Sequence, residues 1–321
     1  MSTRGDFLEQ MARSSHERLR EALRIQPEAA LLGKARGLPP PPPLQANPDG
    51  FDLIAELKLR SPAVGQLKSA AAEDIATRVT DYARAGAAAV SVLTEPSRFD
   101  GSLQHLERAT QALAPLRVPA MRKDFLVDPY QVIEARVAGA GGVLVILRML
   151  SREQVGALLD CARGLGLFVL LEAFDADDIE VMHGVVSESL QRASSAQRVS
   201  APLLAGLNCR DLTTLQIVPE RLESLACLLP TNVPRVAESG VVTAEDAGRV
   251  ARAGYQFALV GSALMQGSDP FGLAAAMLEA GRRGATAAAR GGSAAASGHA
   301  AMSGPASTSG PASRGRTALK P

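Results

Sequence analysis

The sequence predicts an α/β chain folded as a closed (β/α)8 TIM barrel, with an N-terminal helical extension and a disordered C-terminal tail. Eight short apolar runs recur with starts 24 to 36 residues apart, each interval long enough for a strand, a helix and two loops. The runs are apolar on both faces, as parallel strands covered by helices must be. The loop after the first run, Lys58-Leu59-Arg60-Ser61-Pro62, lacks the glycine-rich turn that opens a doubly wound nucleotide-binding sheet. Eight such units in about 230 residues is the size of a barrel.

Taken in order, residues 6–24 place Phe7, Leu8, Met11, Leu19 and Leu23 among charges, an approximate helical stripe. A second helical stretch, 27–36, runs into the prolines at 39–43, which must be extended. The expected strands follow at 52–57, 88–93, 118–121, 142–147, 167–172, 203–207, 233–237 and 257–260. Pairs such as Ala85-Gly86, Ala138-Gly139 and Ala253-Gly254 suit helix C-termini feeding the next strand. Residues 183–202 exceed what a barrel needs between a helix and a strand, so an exposed insertion away from the chemistry is expected there. Residues 284–321 hold 12 Ala, 7 Gly and 6 Ser with four basic residues and no acid. Such a segment buries too little apolar surface to offset its ordering entropy. The expected division is therefore 1–49 extension and linker, 50–283 barrel, 284–321 tail.

Composition excludes several functions. The chain has 321 residues, 46% apolar, with a net charge of +1. The basic tail hides a first 283 residues at about −3, and no aromatic platform suits stacked bases, so no nucleic-acid partner is expected. No apolar stretch approaches the roughly 20 residues of a membrane span, and the N-terminus shows no apolar signal core. Cys161, Cys209 and Cys227 are odd in number and widely spaced, which suits a reducing, cytoplasmic location. The four histidines lack metal-ligand spacing, so neither a metal centre nor a histidine triad is expected.

In a barrel the working face lies at the C-terminal strand ends. Those ends carry Glu56 and Lys58; Thr94 and Glu95; Lys123 and Asp124; Arg148; Glu172; Asn208 and Arg210; Glu238, Ser239 and Gly240; and Gly261 and Ser262. Ionised groups that interrupt apolar strands, as Glu56, Lys58 and Glu172 do, must be paired or face a ligand. A structural ion pair of Glu56 with Lys58 or with Lys123 satisfies the same requirement. The last two loops each set a Gly beside a hydroxyl after a strand, where barrels commonly bind phosphate.

Taken together, these residues resemble the indole-3-glycerol phosphate synthase family. The likeness rests on Ile54-Ala55-Glu56-Leu57-Lys58 with Ser61-Pro62 and Gly65, and on Ser91-Val92-Leu93-Thr94-Glu95 with Phe99 and Gly101. Arg122-Lys123-Asp124-Phe125, Asn208-Cys209-Arg210-Asp211-Leu212, Glu238-Ser239-Gly240 and Leu259-Val260-Gly261-Ser262 follow in family order. The resemblance implies a cofactor-free reaction on a phosphosugar substrate, 1-(2-carboxyphenylamino)-1-deoxyribulose 5-phosphate, yielding indole-3-glycerol phosphate, CO2 and water. It places the general acid on Lys123 and the dehydration acid and base on Lys58 and Glu172, and leaves open which lysine serves which step. Glu56 and Asn208 then orient these groups, Arg210 and Glu238 line the substrate site, and Ser61, Ser239, Gly240, Gly261 and Ser262 hold the phosphate. Other enzymes of the tryptophan pathway are the candidate protein partners. This chain departs from the family at Ala63-Val64, where Ser followed by Lys is usual, and at Ala173-Phe174, where Val-His is common. A weaker hold on phosphate is expected from the first change. A phosphoribosylanthranilate-isomerase-like barrel needs a Cys/Asp pair, for which Cys209 is poorly placed, and a paralogue that binds without turnover is the other alternative.

Overall fold

The structure, a computed structural model, describes residues 7–48, 50–62, 64–68, 73–195 and 202–300. Two helices come first, α1 (Phe7–Ile25) and α2 (Glu28–Gly37). Eight strands follow: β1 (Asp52–Leu57), β2 (Ala89–Leu93), β3 (Ala120–Lys123), β4 (Gly142–Ile146), β5 (Phe168–Ala173), β6 (Leu203–Asn208), β7 (Arg235–Glu238) and β8 (Phe257–Val260). All pair in parallel with their sequence neighbours, and β8 closes on β1, giving the predicted barrel. The intervening helices are α3 (Ile75–Arg84), α4 (Leu103–Leu113), α5 (Pro129–Val137), α6 (Arg152–Gly164), α7 (Ala176–Ser195) and α8 (Ala244–Arg252), with α9 (Pro270–Ala300) last.

Strand periodicity sorts the core into two shells. Leu53, Ala55 and Leu57 of β1 point outward into a large cluster shared with the helices, as do Val169 and Leu171 of β5. Ile54, Met121, Leu144, Leu170, Val236 and Leu259 point inward and fill the barrel. Phe168 lies over the neighbouring strand β4 because its register partner Gly142 has no side chain; a Cβ there would overlap its ring. Phe7, Leu8 and Met11 of α1 join the same inner cluster, so the extension packs on the barrel interior. Leu19, Leu31 and Ala35 pack with Val127, Tyr130 and Ile133, fixing both N-terminal helices beside α5.

Two boundaries differ from expectation. Residues 183–195 continue α7, with Val185 and Val186 buried, because the apolar pattern of that helix runs on past residue 183; 196–201 lie outside the described residues. Helix α9 passes residue 283 and extends to Ala300, consistent with alanine's high helix propensity. The remaining tail, 301–321, lies outside the described residues. The chain divides into compact units Met1–Ala288 and Ala289–Pro321, and the barrel belongs to the first. Among the described residues no helix is long and apolar enough to cross a membrane.

Candidate active site

Alternation within strands decides what reaches the mouth. Glu56, Lys123, Glu172 and Glu238 each stand two residues beyond an inward apolar residue, Ile54, Met121, Leu170 and Val236 respectively. Each is thus the last inward-facing side chain of its strand, above a dry barrel floor. Asn208 holds the same place on β6, paired in register with Glu238. Lys58, Arg210, Ser239, Gly240, Gly261 and Ser262 follow the strand ends, and Ser61 lies in a short hairpin after β1. The twelve residues to which the family resemblance gives a role all line one cavity at this mouth. Ala63, one of the two departures in the first loop, lies outside the described residues.

The polar groups form two linked sets. Lys58 Nζ lies 2.7 Å from Glu56 Oε1, and Lys123 Nζ lies 3.8 Å from Glu56 Oε2, so both pairings foreseen as alternatives are present. The Asn208 amide donates to Glu172 Oε1, while its carbonyl oxygen accepts the Arg210 backbone N–H at 3.0 Å. That second bond fixes which way the amide points. The Arg210 guanidinium donates to the Leu215 carbonyl at 2.6 Å.

Charges at the mouth tune one another. Burial pushes the Lys123 pKa down, but Glu172, Glu56 and Glu238 outweigh it and hold the ammonium above its ordinary range. Burial pushes Glu56 up, and Lys58 and Lys123 outweigh it, so this carboxylate stays below its usual value. Glu238 goes the other way: burial, then the neighbouring Glu172 charge, raise it well above the carboxylate range. Both of its oxygens are buried without a hydrogen-bond partner, as is Glu172 Oε2.

Other strand-end residues act as supports. Asp124, next to Lys123, receives Thr94 Oγ1 at 2.7 Å, Arg122 Nη2 at 3.1 Å and two bonds from Arg18 of α1. Glu95 caps a short helix at Pro96–Phe99 by accepting the Ser97 and Arg98 backbone N–H groups. Arg148 pairs with Asp175 and Asp178 and lies 5.0 Å above the Phe174 ring. Gly261 has a role beyond the loop it was read for: a Cβ there would overlap Glu56 Oε1 and come 3.0 Å from Lys58 Nζ. Ser239 and Gly240 both adopt left-handed backbone, at φ 67° and 71°, turning the chain sharply at the rim.

One wall of the cavity escaped sequence reasoning. Phe7 and Leu8 of α1, with Phe99, Phe125, Ile146 and Phe174, make it apolar. The rings of Phe7 and Phe125 meet edge-on, with centroids 5.9 Å apart. Alternation along β4 could have found Ile146; nothing local to residues 7 and 8 says where that helix docks.

Residues 41–275 match the family profile described as indole-3-glycerol phosphate synthase. The chain belongs to this family. A Nocardioides indole-3-glycerol phosphate synthase is 42% identical over 223 residues, covering 70% of this chain and 78% of its own length. The Parafrankia enzyme of the same name is 40% identical over 234 residues, covering 73% and 80%. Indole-3-glycerol phosphate synthase 1 of Streptomyces coelicolor is 36% identical over 268 residues, covering 83% and 88%. Among solved structures, 3-hexulose-6-phosphate synthase from Salmonella typhimurium superposes with a TM-score of 0.52 at 13% identity, over 73% of this chain and all of that one, a likeness of fold alone. As an indole-3-glycerol phosphate synthase family member, the chain is a carboxy-lyase of tryptophan biosynthesis. The isomerase alternative also lacks its thiol: Cys209 is buried, does not line the cavity, and burial pushes its pKa up to about 11.

Proposed function

We propose that ring closure runs on the lysine and glutamate set at this mouth. The observation that supports it is the shared anion: Glu56 carries Lys58 on one carboxylate oxygen and Lys123 on the other. Two lysine side chains are thereby held side by side at the rim of an apolar chamber. The substrate's aromatic ring lies on the wall formed by Phe125, Ile146 and Phe174, and its phosphate reaches Ser61, Ser239, Gly240, Gly261 and Ser262. The ring carbon bearing the carboxylate attacks the ribulose carbonyl carbon while Lys123 donates a proton to the carbonyl oxygen. Loss of CO2 returns the bonding electrons to the ring and restores aromaticity. Lys58 then protonates the new hydroxyl as it leaves as water, and Glu172 takes the proton from the adjacent carbon to complete the indole. Arg210, Asn208 and Glu238 bind and orient the substrate's hydroxyl and anionic groups. Such a proton sequence needs positioned acids and bases, and each contributes about 10²- to 10⁴-fold.

The enzyme works in the cytoplasm on a small phosphosugar, with other enzymes of the same pathway as its candidate protein partners. The purified chain, given the carboxyphenylamino-deoxyribulose phosphate, is expected to develop indole fluorescence. No turnover at saturating substrate would leave a binding paralogue instead.

A further inference from the structure

Gly206 stands on β6 with Glu172 of β5 and Val236 of β7 as its register partners. It faces inward, between Leu204 on the barrel floor and Asn208 at the mouth. Its backbone does not require glycine, since it is absent from the positive-φ residues of the chain. Space is what requires it. A Cβ at position 206 would overlap Glu238 Oε1, and would come 2.9 Å from Leu170 Cδ1 and 3.0 Å from the Leu171 carbonyl oxygen. The Glu238 carboxyl therefore leans back across β6 and occupies the volume of the missing side chain.

We infer that Gly206 is a positioning residue for the reaction, seating the Glu238 carboxyl beside Glu172 in the wall of the cavity. The inference rests on the reading above, in which Glu238 and Glu172 serve the substrate. Its consequence is a set of polar atoms with work left to do. The Asn208 amide already holds Glu172 Oε1, while Glu172 Oε2 and both oxygens of Glu238 are buried and unpartnered. Burial and the Glu172 charge push the Glu238 pKa well above the carboxylate range, which favours its neutral form, a donor beside the Glu172 acceptor. A sugar hydroxyl, itself donor and acceptor, matches that pair. Moved off its seat, Glu238 would lose this relation to Glu172 even though both residues remain.

Gly206→Ala tests this, with Glu238→Asp made alone and in combination. The alanine is expected to lower kcat on the order of 100-fold, as a displacement of about 1 Å at a reacting site does, with little change in KM because the phosphate loops are untouched. Glu238→Asp withdraws the carboxyl by one methylene, so it should lower kcat alone yet raise it when added to Gly206→Ala. Independent losses that simply multiply would overturn the proposal. Should Gly206→Ala fail to fold, Gly206→Ala with Glu238→Ala removes the clashing carboxyl and should recover the native circular dichroism and melting transition. If that double variant stays unfolded, Leu170 and Leu171 explain the glycine and the seat is refuted. An inert wild-type protein would sink the ring-closure reading instead, while the folding comparison still decides whether Gly206 seats Glu238.

Discussion

Arg18 of α1 grips Asp124 with both guanidinium nitrogens, Nη1 and Nη2, each 2.8 Å from a carboxylate oxygen. Asp124 directly follows Lys123, so the extension is tied to the strand end that carries the proposed general acid. The same carboxylate accepts from Thr94 and Arg122, and Arg122 also donates to the Gln131 carbonyl and pairs with Glu134. Helix α1 is thereby joined through one buried anion to β2, β3 and α5. A bidentate pair fixes orientation as well as distance, which a single bond does not.

Arg18→Met should cost about 3 kcal/mol of stability, because it strips a buried carboxylate of its bidentate partner. Burial pushes the Asp124 pKa up, but Arg18 and Arg122 outweigh it and hold it far below the usual carboxylate range. A depressed carboxylate stabilises the fold above its unfolded pKa, and that contribution fades as pH falls toward the folded value. With Arg18 gone the folded value rises. Acid unfolding followed by circular dichroism should therefore begin at higher pH in the variant. Coincident acid transitions would show that the pair contributes nothing.

Lys123→Met removes the proposed proton donor and keeps an apolar chain of similar length in the wall. Ring closure should fall by about 10²- to 10⁴-fold. Inorganic phosphate binding, measured by competition against the substrate analogue, should persist, since Ser239, Gly240, Gly261 and Ser262 stand on other loops. A fully active variant would refute the assignment of Lys123.

Glu56→Gln should move the alkaline limb of the kcat/KM profile to lower pH. Lys123 must be charged to donate, so activity persists until pH passes its folded pKa. That value is depressed by burial and Arg210, and raised more strongly by Glu172, Glu56 and Glu238. Removing one anion weakens the upward pull, and the residual activity fades earlier in the titration. An unmoved limb would mean that another group sets it.

Much of this site could be read from the chain because of one periodicity. In the run Asp52-Leu53-Ile54-Ala55-Glu56, Ile54 faces in, so Glu56 must too, and the same count places Lys123, Glu172 and Glu238. The apolar wall was illegible for the opposite reason. Phe7 lies more than a hundred residues from Phe125, and a helical stripe shows that a face is buried without showing against what. The glycines were half legible. Gly261 reads locally as a turn residue, and only the folded barrel shows that its bare Cα leaves room for Glu56. Arg18 and Asp124, 106 residues apart, carry no local mark of their pairing.

The C-terminal helix should stop mattering just past residue 285. Gly281 is buried against Phe51, whose ring a Cβ would overlap, and Gly284 packs on the Gly248 carbonyl. Ala285 still packs against the outer core, whereas residues 286–290 are exposed. Gly281→Ala must push Phe51, itself fully buried beside β1, and overpacking of this kind costs about 1–3 kcal/mol. Deleting 286–321 removes none of these contacts. The deletion should leave activity and melting temperature nearly unchanged, while the single methyl at 281 lowers the melting temperature by several degrees, roughly 2–4 °C per kcal/mol for a domain of this size. Thermal unfolding of the two variants side by side reads the contrast directly. A deletion more damaging than the methyl would place a working contact beyond residue 285.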